Sequence, residues 1–305
     1  MVCAAVLTFG FDVATASLFV GAFAPALALL AAMSFEQRKR QKTFKPPQEE
    51  KLLRPAGYSL TVQIDTLTDR GTTQLLWAMF WTAWAGIISG YIPRLFTPET
   101  PLLWTFGAIA VLASTILAGT ALAIGAYRTL QERRAARLGL RGEQATAEAL
   151  HEAADAGFRI FHDIQTGEDW NIDHVAIGAR GVYLMETKAR TRLPAKGDQP
   201  EHHVRFDGTT LEFPGGIDRA PVAQARRNAG WLANFLANKT GETVPVDAIV
   251  VLPGWWIDGR GNTVKVMNCK YLTKYLRGQK ERISPEQVER ITSALDEKNR
   301  TLDFI

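Results

Sequence analysis

Three long stretches of this chain carry no charged side chain, and they limit the fold more than any other feature. One lies between Asp12 and Glu36, the second runs from Gly71 to Pro93, and the third from Thr100 to Tyr127. At roughly 1.5 Å per residue, each reaches across a hydrocarbon core of about 30 Å. Three transmembrane helices are therefore expected, at about 13–35, 72–93 and 101–127, forming a membrane region over 1–128. The basic residues set the orientation. Arg38, Lys39, Arg40, Lys42 and Lys45 follow the first run, and Arg128, Arg133, Arg134, Arg137 and Arg141 follow the third. The loop between runs two and three carries only Arg94 and Glu99. By the positive-inside rule the N-terminus lies outside and the C-terminal half in the cytoplasm, as in a multi-pass protein of a bacterial inner membrane. A cleaved signal peptide would have its basic residues before the apolar run rather than after it. No ionisable group interrupts a run, which argues against a transporter or channel.

After a basic linker at 129–137 the pattern changes to short alternating elements, so 138–305 is expected to fold as an α/β domain with a central mixed sheet flanked by helices. Helices are predicted at 142–156 and 221–238. Strands are predicted at 158–164, 172–177, 182–188, 204–213, 245–252 and 263–267, and the stretch 58–64 also reads as strand-like. Ser284, Pro285 and Gln287 spell a helix start with a capping box. The chain has two cysteines, Cys3 and Cys269, too few for a disulfide framework or a zinc cluster. It also lacks the glycine-rich phosphate loop of an ATPase motor.

The chemistry concentrates on one hairpin. A tight turn at Gly178-Ala-Arg-Gly181 pairs strands in a register that sets Asp173 opposite Glu186. Alternation puts Val175, Ile177, Val182 and Leu184 on the same face, with Lys188 two residues beyond Glu186. Carboxylates at the rim of an apolar face are costly unless paired or metal-bound. Glu143, at the start of the preceding helix, can tip into the same rim. An oxygen-only ligand set of Asp173, Glu186 and Glu143 suits Mg²⁺ or Mn²⁺, which acidifies water and neutralises charge on a phosphodiester in transit. Lys188 would stabilise that charge or orient the water. The alternative is an Asp–Glu–Lys ion pair with a purely structural role.

These residues carry a family resemblance. Arg141-Gly-Glu143, Ile172-Asp-His174, Val175-Ala-Ile-Gly178 and Gly181-Val-Tyr-Leu-Met-Glu-Thr-Lys188 resemble the nuclease-related domain, NERD. Gln224-Ala-Arg-Arg-Asn-Ala-Gly-Trp-Leu232 is similar to the glutamine-bearing helix that follows in that family. The resemblance covers roughly 138–252. It implies the restriction-endonuclease-like fold of the PD-(D/E)xK superfamily and Mg²⁺-dependent cleavage of DNA, with RNA the other candidate substrate. It further implies Asp173, Glu186 and Lys188 as the catalytic core, Glu143 as the helix acid and Gln224 as an auxiliary group. Some related superfamilies place a tyrosine one turn after that glutamine; here the position is Asn228.

Around the site, Arg190, Arg192, Lys196, Arg226 and Arg227 are candidates for gripping phosphates. His174 follows Asp173 but faces the other way, which suits a structural role, and Asp163 ends a strand close by. His202 and His203 lack further ligands for a metal. The reading that follows is a membrane-anchored, metal-dependent nuclease, with homo-oligomers or a partner protein compatible. The alternative is a nuclease-fold module with weak or absent cleavage that docks nucleic acid or a protein at the membrane.

Overall fold

The computed structural model describes residues 51–95, 101–191 and 202–302 of the 305-residue chain. The expected span at 13–35, the basic run at 38–45, and Arg192 and Lys196 lie outside them, as do most side chains of 86–95 and 101–104. The described residues fall into two compact units, one of 66–95 with 101–132 and one of 51–65 with 133–191 and 202–302.

The elements run in order: β1 (Leu52–Leu53), α1 (Tyr58–Leu95), α2 (Pro101–Ala154), β2 (Arg159–Gln165), β3 (Asn171–Gly178), β4 (Gly181–Thr187), β5 (His203–Phe206), β6 (Leu211–Phe213), β7 (Gly216–Asp218), α3 (Ala220–Thr240), β8 (Val246–Val251), β9 (Trp256–Gly259), β10 (Val264–Met267), α4 (Leu272–Arg277), α5 (Pro285–Asn299) and β11 (Arg300–Leu302).

One local expectation is overturned, and one stretch takes a form the sequence pattern did not announce. The strand-like stretch 58–64 is the first turns of α1, because tertiary setting overrides a weak preference of β-branched residues for strands. The expected linker at 129–137 is helical, and with the predicted helix at 142–156 it forms one continuous α2. Its Ala, Arg, Leu, Gln and Glu residues are strong helix formers, and no proline interrupts them. Gly142, read as a helix start, sits mid-helix. A Cβ there would lie 2.6 Å from that of Ala189, so the glycine allows the helix to approach the end of β4 closely.

In the first unit, α1 and α2 meet through a polar pair, with Thr129 Oγ1 donating to Gln74 Oε1 at 3.2 Å. Their outward faces are apolar, and Leu75, Met79, Phe106, Ile109 and Leu117 are each more than 60% exposed. Thr105–Ala154 is the one helix among the described residues that is long and apolar enough, by length and composition, to cross a membrane.

The second unit is mixed α/β. Its five-stranded sheet has the order β10-β8-β4-β3-β2, parallel across β10, β8 and β4, then antiparallel to β3 and β2. A smaller sheet, β7-β6-β5-β9, lies beside it in the same unit, and β1 pairs with β11. Both faces of β3 and β4 are covered. On one, Val175, Ile177, Val182 and Leu184 pack with Leu232 and Leu236 of α3 and Ile291 and Leu295 of α5. On the other, Ala176, Tyr183 and Met185 pack with Leu150 and Ala153 of α2 and Leu272 and Leu276 of α4. A sheet buried on both sides reads as a continuous apolar run rather than as clean alternation.

Candidate active site

The hairpin has the expected register: Gly178 pairs with Gly181 and His174 with Met185. Gly181 takes φ 139°, a conformation that suits glycine at this tight turn. The ladder brings Asp173 and Glu186 to the end of the sheet where β4 runs parallel to β8, the edge at which open α/β sheets present ligand sites. Glu186 is 1% exposed and Asp173 7%. Asp173 Oδ2 accepts the Thr187 backbone N–H at 2.7 Å. Glu186 Oε1 pairs with Lys188 Nζ at 2.8 Å, and its Oε2 accepts from Asn228 Nδ2 at 3.0 Å.

Glu143 arrives from the other side of the sheet. Its helix packs on the Ala176 and Met185 face, anchored near the site by the Thr187 and Thr146 hydroxyls at 3.1 Å. Glu143 reaches the rim around the strand ends rather than from the face of Asp173 and Glu186. It is buried, and its Oε2 has no hydrogen-bond partner.

Three buried carboxyls share one lysine, and their acidities show it. Burial, then Asp163 and Glu186, push Glu143 up to about 7. Burial, Glu186 and Glu143 hold Asp173 well above the usual carboxylate range. Glu186 is raised by burial against the opposing pull of Lys188, Arg227 and Asn228. Burial lowers the affinity of Lys188 for its proton, but the attraction of Glu186, Asp173 and Glu143 outweighs it and the net shift is upward. The cluster is short of positive charge, and the orphaned Glu143 oxygen is a place where a cation would be stabilised. The donor set is hard oxygen throughout, which suits Mg²⁺ or Mn²⁺. Among the described residues, however, no group of three or more His, Cys, Asp and Glu side chains is set at metal-holding spacing. Lys188 and Asn228 each take one lone pair on an oxygen of Glu186, so an ion at Glu186 would share those oxygens with them or displace one.

The remaining candidates divide. Gln224 is half-buried at the start of the second turn of α3, one turn before Asn228. Arg227 lies close enough to lower the Glu186 pKa, with its guanidinium 5.1 Å above the Trp170 ring. Arg226 donates to Thr263 Oγ1 at 3.2 Å. Arg190 pairs with Asp218 and lies 4.5 Å over the Phe213 ring. His174 is fully buried, with its Nδ1 2.8 Å from that of His162. His203 sits in β5 with Nδ1 2.9 Å from Asp258.

Two participants escape a reading of the sequence. Asn228 stands at the position noted for lacking a tyrosine, and it holds Glu186 directly; the helical spacing from Gln224 was the available signal. Arg54 comes from a segment with no assigned role. Its Nε and Nη2 lie 2.8 and 2.6 Å from Asp163 Oδ2, which also accepts from the Ser59 N–H and hydroxyl. Asn171 donates to the other oxygen. The same segment carries Gly57, whose backbone hydrogen bond lowers the Glu143 pKa. No local pattern in the sequence announces this contact.

No curated protein and no solved structure matches the chain. Residues 138–253, the stretch that contributes Glu143, Asp173, Glu186, Lys188 and Asn228, match the family model of the nuclease-related domain, NERD, which suggests a nuclease-like fold.

Proposed function

We propose that this protein is a membrane-anchored, divalent-metal-dependent nuclease that hydrolyses phosphodiester bonds, in DNA by preference, on the cytoplasmic side of a bacterial inner membrane. The observation that carries the reading is the set of three buried carboxyls sharing a single lysine at the end of β4. Asp173, Glu186 and Glu143 would hold Mg²⁺ or Mn²⁺, which when bound supplies an acidified water and neutralises charge on the phosphate. Lys188, released from Glu186, would then meet the developing negative charge on phosphate oxygen. Asn228 would keep Glu186 aimed, and Gln224 would assist from the same helix. Arg190, Arg226 and Arg227, with Arg192 and Lys196 outside the described residues, would grip the flanking phosphates. The apolar exterior of α1 and α2 is compatible with an anchor; three spans with the N-terminus outside rest on the uncharged runs and basic flanks of the sequence alone. Labelling of Cys3, but not of Cys269, by an impermeant maleimide on intact cells would test that orientation.

A second reading keeps its place on one observation: Lys188 already closes on Glu186 at 2.8 Å. On that reading the domain docks nucleic acid or a protein without cleaving it.

The deciding test uses the full-length protein in detergent with plasmid, linear and single-stranded DNA and with RNA, in Mg²⁺, Mn²⁺ or EDTA. Metal-dependent cleavage is expected, falling by at least ~10²–10³-fold in Asp173→Ala and in Lys188→Ala. Binding without cleavage of any substrate would transfer the conclusion to the docking module.

A further inference from the structure

Beside the acids lies a pocket of about 540 Å³ that the catalytic reading does not use. Lys188 stands at one end, and its wall continues through Arg190, Phe213, Ile217, Trp255 and Leu138. The volume falls within the ~300–1,000 Å³ of sites that enclose a small molecule or a single residue of a polymer.

The lining is built rather than incidental. Phe213 and Trp255, 5% and 3% exposed, meet edge to face with ring centroids 5.1 Å apart, giving a fixed aromatic wall. Arg190 has its guanidinium carbon 4.5 Å from the Phe213 ring centroid and is held by Asp218, whose other oxygen accepts the Ala220 N–H at 2.9 Å at the start of α3. The guanidinium is thereby oriented before any ligand arrives. Between Phe213 and its partner Gly216 the chain turns through Pro214 and Gly215. Gly216, at φ 132°, has nothing within 4 Å of the place where a Cβ would be. Ile217, 67% exposed, forms an apolar lip.

We propose that this pocket receives an unpaired nucleotide adjoining the phosphate at Lys188, so that the protein acts on single-stranded or frayed nucleic acid in preference to a closed duplex. Lys188 and Arg190, each paired with an acid that a phosphate would compete with, Glu186 and Asp218, stand beside an apolar, aromatic interior and match a phosphate next to a base whose π face is free. A base inside a duplex is stacked on both faces and cannot enter a concave site without being extruded. The inference rests on the nucleic-acid reading of the neighbouring acids and adds the strandedness of the substrate to it.

The test has two arms, both with the full-length protein in detergent. In EDTA, a fluorescein-labelled single-stranded oligodeoxynucleotide and a blunt duplex of equal length are titrated with wild type and with Ile217→Glu. This substitution sets a carboxylate at the lip on an exposed position, so the fold should survive. The single strand is expected to bind at least ~10-fold more tightly than the duplex, and Ile217→Glu to lose about tenfold on the single strand alone, the scale of one stacked base. Equal affinities, no binding, or an Ile217→Glu variant that holds the single strand as wild type does would overturn the proposal. In Mg²⁺, cleavage of the same molecules is followed. Cleavage without strand preference and indifferent to Ile217→Glu removes the pocket and leaves the nuclease reading intact. Strand-selective, Ile217-dependent binding with no cleavage supports the pocket and removes the nuclease reading.

Discussion

Asp163 on β2 and Glu186 on β4 are both buried almost completely, at 0% and 1% exposure, in the same sheet. Asp163 receives an arginine, a serine hydroxyl, a backbone N–H and an asparagine amide. Glu186 has one lysine and one asparagine in contact, with Arg227 acting from further off, and Lys188 also draws on both Asp173 and Glu143. The first arrangement completes a buried ion pair, which is costly to break because its remaining half is stranded in low dielectric. The second leaves negative charge under-compensated, with the Glu143 oxygen unpartnered. Saturated charge is what a structural acid needs. Unsaturated charge, held in place by packing on both faces of the sheet, is what a site for a cation needs.

The contrast can be broken at several points. Arg54→Ala should have the largest effect: it strands Asp163 and should cost about 3–5 kcal/mol, or roughly 2–4 °C of melting temperature per kcal/mol. Thermal unfolding in detergent would measure it, and a change under ~1 kcal/mol would make the two acid sets equivalent.

Acidity should separate them next. The folded pKa of Glu143, about 7, lies above its ordinary value of 4.5, and Asp173 and Glu186 are shifted the same way. These acids therefore hold protons that the unfolded chain has lost, and their contribution to stability falls as pH rises from about 4.5 through about 7 for Glu143. His162, lowered to about 4, and His174, also lowered, contribute with the opposite sign over the lower part of that window. The acid contribution is read as a difference: in EDTA the melting temperature of wild type should fall relative to Glu143→Gln across the window, and Mg²⁺ or Mn²⁺ at the upper end should restore it. A constant difference in EDTA would show that the acids are not in conflict.

Smaller effects sharpen the picture. Asn228→Ala removes the amide that holds Glu186 and should cost about 1–2 kcal/mol of stability. Asp173→Asn should act in the opposite direction. It relieves repulsion while keeping an oxygen for the Thr187 N–H, so a gain of about 1 kcal/mol in EDTA is expected. A loss of stability in calorimetry would place Asp173 with Asp163 among the saturated acids.

Local chemistry was legible in the residues. The turn at Gly178 to Gly181 sets its register through backbone geometry, and Ser284 and Gln287 form the reciprocal cap that their spacing implies. The convergence of Asp173, Glu186 and Lys188 follows from that register, since alternation along paired strands is a short-range rule.

What depends on distant parts of the chain could be decided only by the tertiary structure. Arg54 and Asp163 are 109 residues apart and Asn228 and Glu186 are 42 apart, and nothing in either neighbourhood encodes its partner. The approach of Glu143 from the opposite face depends on α2 running unbroken past Gly142, which in turn depends on how close that helix lies to Ala189. The pocket beyond Lys188 needs the Phe213 hairpin of the second sheet beside the end of the first. Sequence periodicity assigns side chains to faces, but the neighbour a face meets, and hence which buried charge is compensated, is set by packing over the whole unit.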